Sequence, residues 1–576
     1  MRWLLVPRRL GLTSAVVFAI AALGGLLSSS SAAVVPSAAS NLPLCVQRPA
    51  LCTEQVNPWT YRGWTYVSGH DEPSVLFYSR VPGSGNSNQY QVTLPSDPAT
   101  PPAQDGHGST WNFQLRPAFW FGMIMCDDQD APNPGVTCPP DTDQNIFTST
   151  NPHSAKYFGL TPGQAYMEMQ FYPPGWGPIS CTDAKGAQDG KWCSALTIDS
   201  DQENMNTGTL NNAACNNLVG PEPVNYAIVT KSGHPVAPAR PDEGFGNQAV
   251  VTSDTLEYNN GDKLVVDMHD TPDGFQVVIH DLTTGESGSM TASVANGFGH
   301  ALFQPDASSC TVVPYAYHPQ FSTSNADTRN LWAAHTYNVA ASDEIGHFEY
   351  CNAVDSFGGD CTASSYPDGT DPTADDDDTA CFPYPVVSPA GVTLSLLTGC
   401  VQADDDFDGP SYQGSSWPGG PGAVEGNVPT PFQFTSPLFT GPGHSGLRNY
   451  EQTAFEADLP RIEGSDFSTT NDCQRHVSNP ADPHPGQGCV NPPLGPGGVP
   501  AFYPLYTTTF ASGSCMWQQG GANIPGTHDT FGGNSTTEYG GLLLSNYPAP
   551  GFTITQRYNN FQNVLGGNAC PAPGGK

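Results

Sequence analysis

Residues 262–289 read DKLVVDMHDTPDGFQVVIHDLTTGESGS, and this stretch decides the fold class. Two apolar-alternating runs flank Thr271-Pro272-Asp273-Gly274. In that tetrapeptide proline presets φ and glycine tolerates a positive φ, which is turn chemistry. Pairing Met268 with Val277 gathers Leu264, Val266, Met268, Val277 and Ile279 on one apolar face. Val265, Asp267, His269, Gln276, Val278 and His280 then share the other. The expectation is a β-hairpin with one face in a core and one mixed face open to ligand or solvent.

The same period-2 pattern recurs outward from the hairpin. Strands are predicted at Trp64–Val67, Val75–Tyr78, Tyr90–Leu94, Trp111–Leu115, Ala118–Met125, Ala165–Tyr172, Trp192–Asp199, Val224–Lys231 and His347–Cys351. No convincing amphipathic helix is read between Trp59 and Tyr350. Gly and Pro number 62 and 56, scattered among aromatics and valines, as in a loop-rich β protein. The predicted class is therefore all-β, an antiparallel β-sandwich or jelly roll.

The hairpin, following YMEMQFYPPGW at 166–176, gives the chain a resemblance to the concanavalin A-like sandwiches of many lectins and glycosidases. The resemblance covers about the N-terminal half. It implies carbohydrate as the ligand class. An ExDxE glycosidase signature is missing, so no catalytic residues carry over from it.

Residues 1–33 set the compartment. Arg2, Arg8 and Arg9 precede the apolar run Leu10–Leu27, and Ser31-Ala32-Ala33 offers small residues for cleavage. This reads as a secretory signal peptide, with an uncleaved anchor as the competing reading. Export makes the 16 cysteines a disulfide framework. Close sequence neighbours suggest 45/52, 126/138, 181/193, 351/361, 381/400 and 473/489, with Cys215/Cys310 and Cys515/Cys570 completing the set. Spacing alone leaves other connectivities open. The formal charge of −35 repels phosphate backbones and anionic lipid. Nucleic acid is excluded as an expected partner, and so is membrane after signal cleavage.

The chain divides by composition into the signal at 1–33, a sandwich domain at 34–351 and a Cys/Gly/Pro-rich region at 352–576. That last region is read as a small domain or a disulfide-stapled decoration packed on the sandwich. Within it, Asp404-Asp405-Asp406-Phe407-Asp408-Gly409 matches the start of a calcium loop. Asp404, Asp406 and Asp408 are the candidate ligands of a structural calcium. Position twelve is Ser415 rather than an acid, so a solvated acidic turn is the competing reading.

Candidate chemistry centres on Tyr166-Met167-Glu168-Met169-Gln170-Phe171-Tyr172. Met167, Met169 and Phe171 face the core, so Tyr166, Glu168, Gln170 and Tyr172 share the opposite face. Aromatic rings cover a pyranose, while carboxylate and amide groups bond its hydroxyls. Glu168, Glu349 and Asp267 are the candidate catalytic carboxylates. Tyr166, Gln170, Tyr172, His269 and His280 are the candidate substrate-binding residues. A half-exposed strand alternates in the same way without any site. Hydrolase elbows, phosphate loops and zinc spacings are lacking. The function expected is a secreted carbohydrate-active protein, a glycoside hydrolase or lyase acting on an extracellular polysaccharide. The alternative is a non-catalytic glycan-binding or structural secreted protein.

Overall fold

In the computed structural model, two antiparallel sheets pack face to face. The structure describes residues 74–96, 110–113, 118–130, 133–137, 153–154, 160, 162–172, 182–183, 191–200, 202–204, 209–220, 223–325, 339–344, 348–354, 361–364, 386–387, 393–394, 430–441, 446–456, 506–519, 543–549, 552–558, 563–565 and 567–572. All of these belong to one unit, Ala38–Lys576.

Among the described residues, one sheet has eight strands. Edge to edge they are Val224–Ile228, Cys193–Ser200, Gln164–Tyr172, Ala118–Cys126, Ala340–Glu344, Ser74–Tyr78, Gln452–Glu456 and Asn563–Leu565. The other has nine. Seven of these run Ser287–Thr291, Gly274–Asp281, Lys263–Thr271, Ser87–Thr93, Gln433–Phe434, Ser514–Gln519 and Tyr506–Ala511. Leu438–Phe439 and Arg448–Asn449 branch from Ser87–Thr93.

The decisive hairpin forms in the expected register. Met268 pairs with Val277, and Thr271 with Gly274. Gly274 has φ +135°, and a Cβ there would lie 2.3 Å from the carbonyl oxygen of Ala292, so the turn requires glycine. Leu264, Val266, Met268, Val277 and Ile279 are all fully buried. They join Val75, Phe121, Met123, Met167, Met169, Phe171, Leu196 and Ile198 of the eight-stranded sheet in one core. Aromatic stacking knits the two sheets: the Tyr90 and Phe121 rings lie 3.9 Å apart, and those of Phe119 and Phe432 3.8 Å.

Residues beyond 351 enter both sheets. Gln452–Glu456 pairs with Ser74–Tyr78, and Gln433–Phe434 pairs with Ser87–Thr93. Ser436 Oγ accepts from Trp517 Nε1 at 2.8 Å and donates to Asn568 Oδ1 at 3.1 Å. The disulfide Cys515–Cys570 staples the same corner. The sandwich is therefore completed by strands from both sides of residue 351.

Cys215–Cys310 is the second disulfide found as expected, and no described cysteine is free. Bridges of this kind mark an oxidising compartment. Among the described residues no helix is long and apolar enough to cross a membrane. A short helix does occur at Ala213–Val219, where no amphipathic pattern announces one. The Asn212 side chain caps it by accepting from Cys215 N at 3.0 Å, and the Cys215 bridge anchors it. The signal peptide, the Trp64–Val67 strand and the Asp404, Asp406 and Asp408 calcium loop lie outside the described residues.

Candidate functional site: an aromatic sheet face and a buried acidic cluster

The strand Gln164–Tyr172 is central in the eight-stranded sheet. Because Met167 and Met169 enter the core, Glu168 projects from the outer face. Its direct cross-strand partners are Gly122 and Thr197. Gln170 donates its amide to Glu168 Oε2, and Tyr172 donates its hydroxyl to Gln170 Oε1. Tyr166, Glu168, Gln170 and Tyr172 are thus brought together as the alternation requires. The Trp120 ring meets Tyr166 edge-on at 5.8 Å.

This face is buried rather than half-exposed. Glu168 is 3% exposed, and Tyr166, Tyr172, Trp120 and Tyr226 are buried with it. Gly122, opposite Glu168, lets the Tyr166 and Trp120 rings pack directly onto the backbone. A Cβ there would lie 2.0 Å from Tyr166 Oη and 2.6 Å from Trp120 Cζ3. A second carboxylate shares the face. Asp199 pairs with Tyr166 while Thr197 pairs with Glu168. Asp199 is therefore the diagonal neighbour of Glu168, a relation that spans roughly 7–8 Å. The sequence reading passed over Asp199, although its place at the end of an apolar alternating strand was visible.

Asp267 stands elsewhere. It lies on the outer face of the nine-stranded sheet, since Leu264, Val266 and Met268 point inward. The core separates it from Glu168, so the two cannot act on one bond. His269 Nδ1 lies 3.4 Å from Asp267 Oδ1, and both side chains are about two-fifths exposed. The hydrogen bond to His269 holds the Asp267 carboxyl below its ordinary value, and Asp267 in turn raises His269. His280 is exposed and hydrogen-bonds Ser287 Oγ through Nδ1 at 2.8 Å. Glu349 sits in a third sheet, where Phe348–Val354 pairs with Thr110–Phe113. Its side chain lies outside the described residues.

A further cluster brings together residues far apart in sequence. Asp127 follows directly on the strand Ala118–Cys126 and starts a turn in which Gln129 N donates to its Oδ1 at 3.4 Å. Asp127 N donates to Gly163 O at 3.1 Å. Only glycine fits at 163, since a Cβ would fall 1.9 Å from the Asp127 carbonyl oxygen. Asp130 closes the turn. His300 comes from the short strand Gly299–Ala301. Asp127, Asp130 and His300 are all buried, and one ligand atom from each lies within 4.8 Å of the others.

The carboxylates are held by donors. Ser200 Oγ donates to Asp127 Oδ2 at 3.2 Å, and Gln202 Nε2 donates to both oxygens of Asp130 at 3.1 and 3.2 Å. Gln202 cannot turn its amide around. Its nitrogen also donates to Ala301 O, and its oxygen accepts from Asn211. Burial pushes the Asp127 carboxyl above its ordinary value, a shift opposed by His300. His300 Nδ1 lies 3.3 Å from Asp127 Oδ1 but out of hydrogen-bond alignment. Neither ring nitrogen makes a hydrogen bond. The group could hold a metal ion. Sequence reasoning missed it because residue 300 lies far along the chain from residues 127 and 130, which defeats any spacing motif.

Among known proteins, the chain matches no family model, no curated protein and no solved structure.

Proposed function

We propose that this chain is a secreted carbohydrate-active protein, a glycoside hydrolase or lyase acting on an extracellular polysaccharide. The concanavalin A-like resemblance belongs to the same reading. The observation that carries it is the diagonal placement of Glu168 and Asp199 on neighbouring strands of one aromatic-lined sheet face. Glycosidases flank the scissile bond with two carboxyl groups about 5–9.5 Å apart, and the diagonal neighbours suit that range. In hydrolysis one carboxyl group would give its proton to the leaving glycosidic oxygen. The other carboxylate would take a proton from the attacking water. Gln170 orients Glu168, and Trp120, Tyr166 and Tyr226 are buried on the same face, so a sugar would meet their rings only where this face opens.

A second reading, a non-catalytic glycan-binding or structural protein, is favoured by the burial of both carboxylates, with 3% and 9% of their surfaces exposed. The test is a panel of polysaccharides assayed for new reducing ends and for the ultraviolet absorbance of unsaturated lyase products. Glu168→Gln and Asp199→Asn are run beside the parent chain. Loss of cleavage in both variants, with melting unchanged, supports the enzyme. Full cleavage by Glu168→Gln removes Glu168 from the chemistry. Binding without cleavage by the parent chain supports the second reading.

A further inference from the structure

We propose that Asp127, Asp130 and His300 bind one divalent transition-metal ion of the zinc or manganese class as a structural clamp. Two features point to a ligand. The two carboxylates lie sealed in the interior, with neither Asp127 nor Asp130 exposed. Beside them is a histidine, 1% exposed, whose two ring nitrogens make no hydrogen bond and whose Nδ1 is turned on Asp127. Two carboxylates brought this close in a protein interior are costly to keep ionised even when hydrogen-bonded. A divalent cation with two carboxylates and a neutral imidazole sums to zero charge, which removes that cost. It would also give the His300 ring an acceptor for its lone pair.

The donor set selects the ion. Imidazole with carboxylates suits zinc, manganese and their neighbours. Calcium takes six to eight oxygens, and the two carboxylates cannot supply that number. Around zinc, bonds of roughly 2.0–2.2 Å set tetrahedral donors about 3.4 Å apart; His300 Nδ1 and Asp127 Oδ1 stand 3.3 Å apart, and the three donors lie within 4.8 Å of one another. The outer groups are already in place: Ser200 fixes one oxygen of Asp127, and Gln202 fixes Asp130 through a hydrogen-bond chain that continues to Asn211 and Leu302. Tyr315 closes the site, with its ring 5.1 Å from that of His300.

The site is a clamp because of what it joins. Asp127 and Asp130 lie in the turn that follows a central strand of the eight-stranded sheet, and His300 belongs to the Gly299–Ala301/Val312–Pro314 hairpin. Every donor is buried, so any position that three residues leave on the ion is sealed from substrate. The role is therefore structural, and the ion would be loaded as the chain folds.

The test uses the full secreted chain, unfolded with chelator present and disulfides intact. It is then refolded with zinc, manganese, cobalt or calcium, or with none. Metal content by mass spectrometry and the melting midpoint are read for the parent, Asp130→Asn and His300→Gln. The expected result is a single bound equivalent of zinc or manganese and a higher melting midpoint than the metal-free chain. Both variants should fall to background metal content. The cobalt-loaded parent should show visible absorption bands that His300→Gln loses. If a variant fails to fold, the parent's stoichiometry and cobalt spectrum decide alone. A parent chain that takes up none of these ions, takes up only calcium, or keeps its ion in both variants overturns the proposal.

Discussion

Replacing Cys215 and Cys310 by serine should be among the most damaging changes outside the core. The bridge closes a loop with a sequence separation of 95. No other cysteine lies between the two positions, so nothing shortens that loop from within. In the chain-entropy description such a closure stabilises the folded state by about 4.7 kcal/mol. Cys515–Cys570, at a separation of 55, likewise encloses no further cysteine. Because closure entropy grows only with the logarithm of length, its removal should cost about 0.5 kcal/mol less.

The folded state retains part of the 215–310 junction without the bridge. Asn211 Nδ2 still donates to Leu302 O at 2.9 Å, and Gln304 N to Asn211 Oδ1 at 2.7 Å. These bonds keep the native geometry in place, so the entropic figure should appear nearly whole as lost stability. The assay is equilibrium unfolding in denaturant under non-reducing conditions, comparing each double-serine variant with the parent. Losses of about 2–5 kcal/mol in both are expected. A Cys215→Ser/Cys310→Ser chain within about 0.5 kcal/mol of the parent would refute the reasoning, since an effect that small is ordinary for a surface substitution.

Two further outcomes follow from single contacts. The Asp267–His269 pair should stabilise the fold fully between the ordinary values of its members, 3.8 and 6.5. His269 is raised, so its share is complete below 6.5 and fades as pH climbs through its folded value. Asp267 is lowered, so its share is complete above 3.8 and fades as pH falls through its folded value. Both groups are partly exposed, which limits the effect to about 0.2–1 kcal/mol. His269→Gln should therefore cost more at pH 5 than at pH 9, and a pH-independent difference in unfolding free energy would dismiss the pair. Gly122→Ala should destabilise by about 1–3 kcal/mol, because its methyl must displace the buried Tyr166 and Trp120 rings. A variant melting with the parent would show that this face yields easily.

The sequence by itself determined the strands and their faces. In residues 262–289 the turn chemistry and the alternation left one register that buries Leu264, Val266, Met268, Val277 and Ile279 together, and Met268 faces Val277 accordingly. The Met167, Met169 and Phe171 face was legible for the same reason. A strand's two faces follow from its local period. The 215–310 and 515–570 bridges were also within reach of the cysteine pattern.

Tertiary structure alone decided what each outer face meets and which distant residues converge. The alternation 166–172 shows that Glu168 lies opposite the methionines, but not that its own face is buried. Burial depends on what packs over the sheet, and local period carries no record of that. Asp199 became the partner of Glu168 through antiparallel register, and Asp267 was removed from it by the thickness of the core. Asp127, Asp130 and His300 meet because a strand end and a hairpin are folded against each other, a proximity that separation along the chain does not encode.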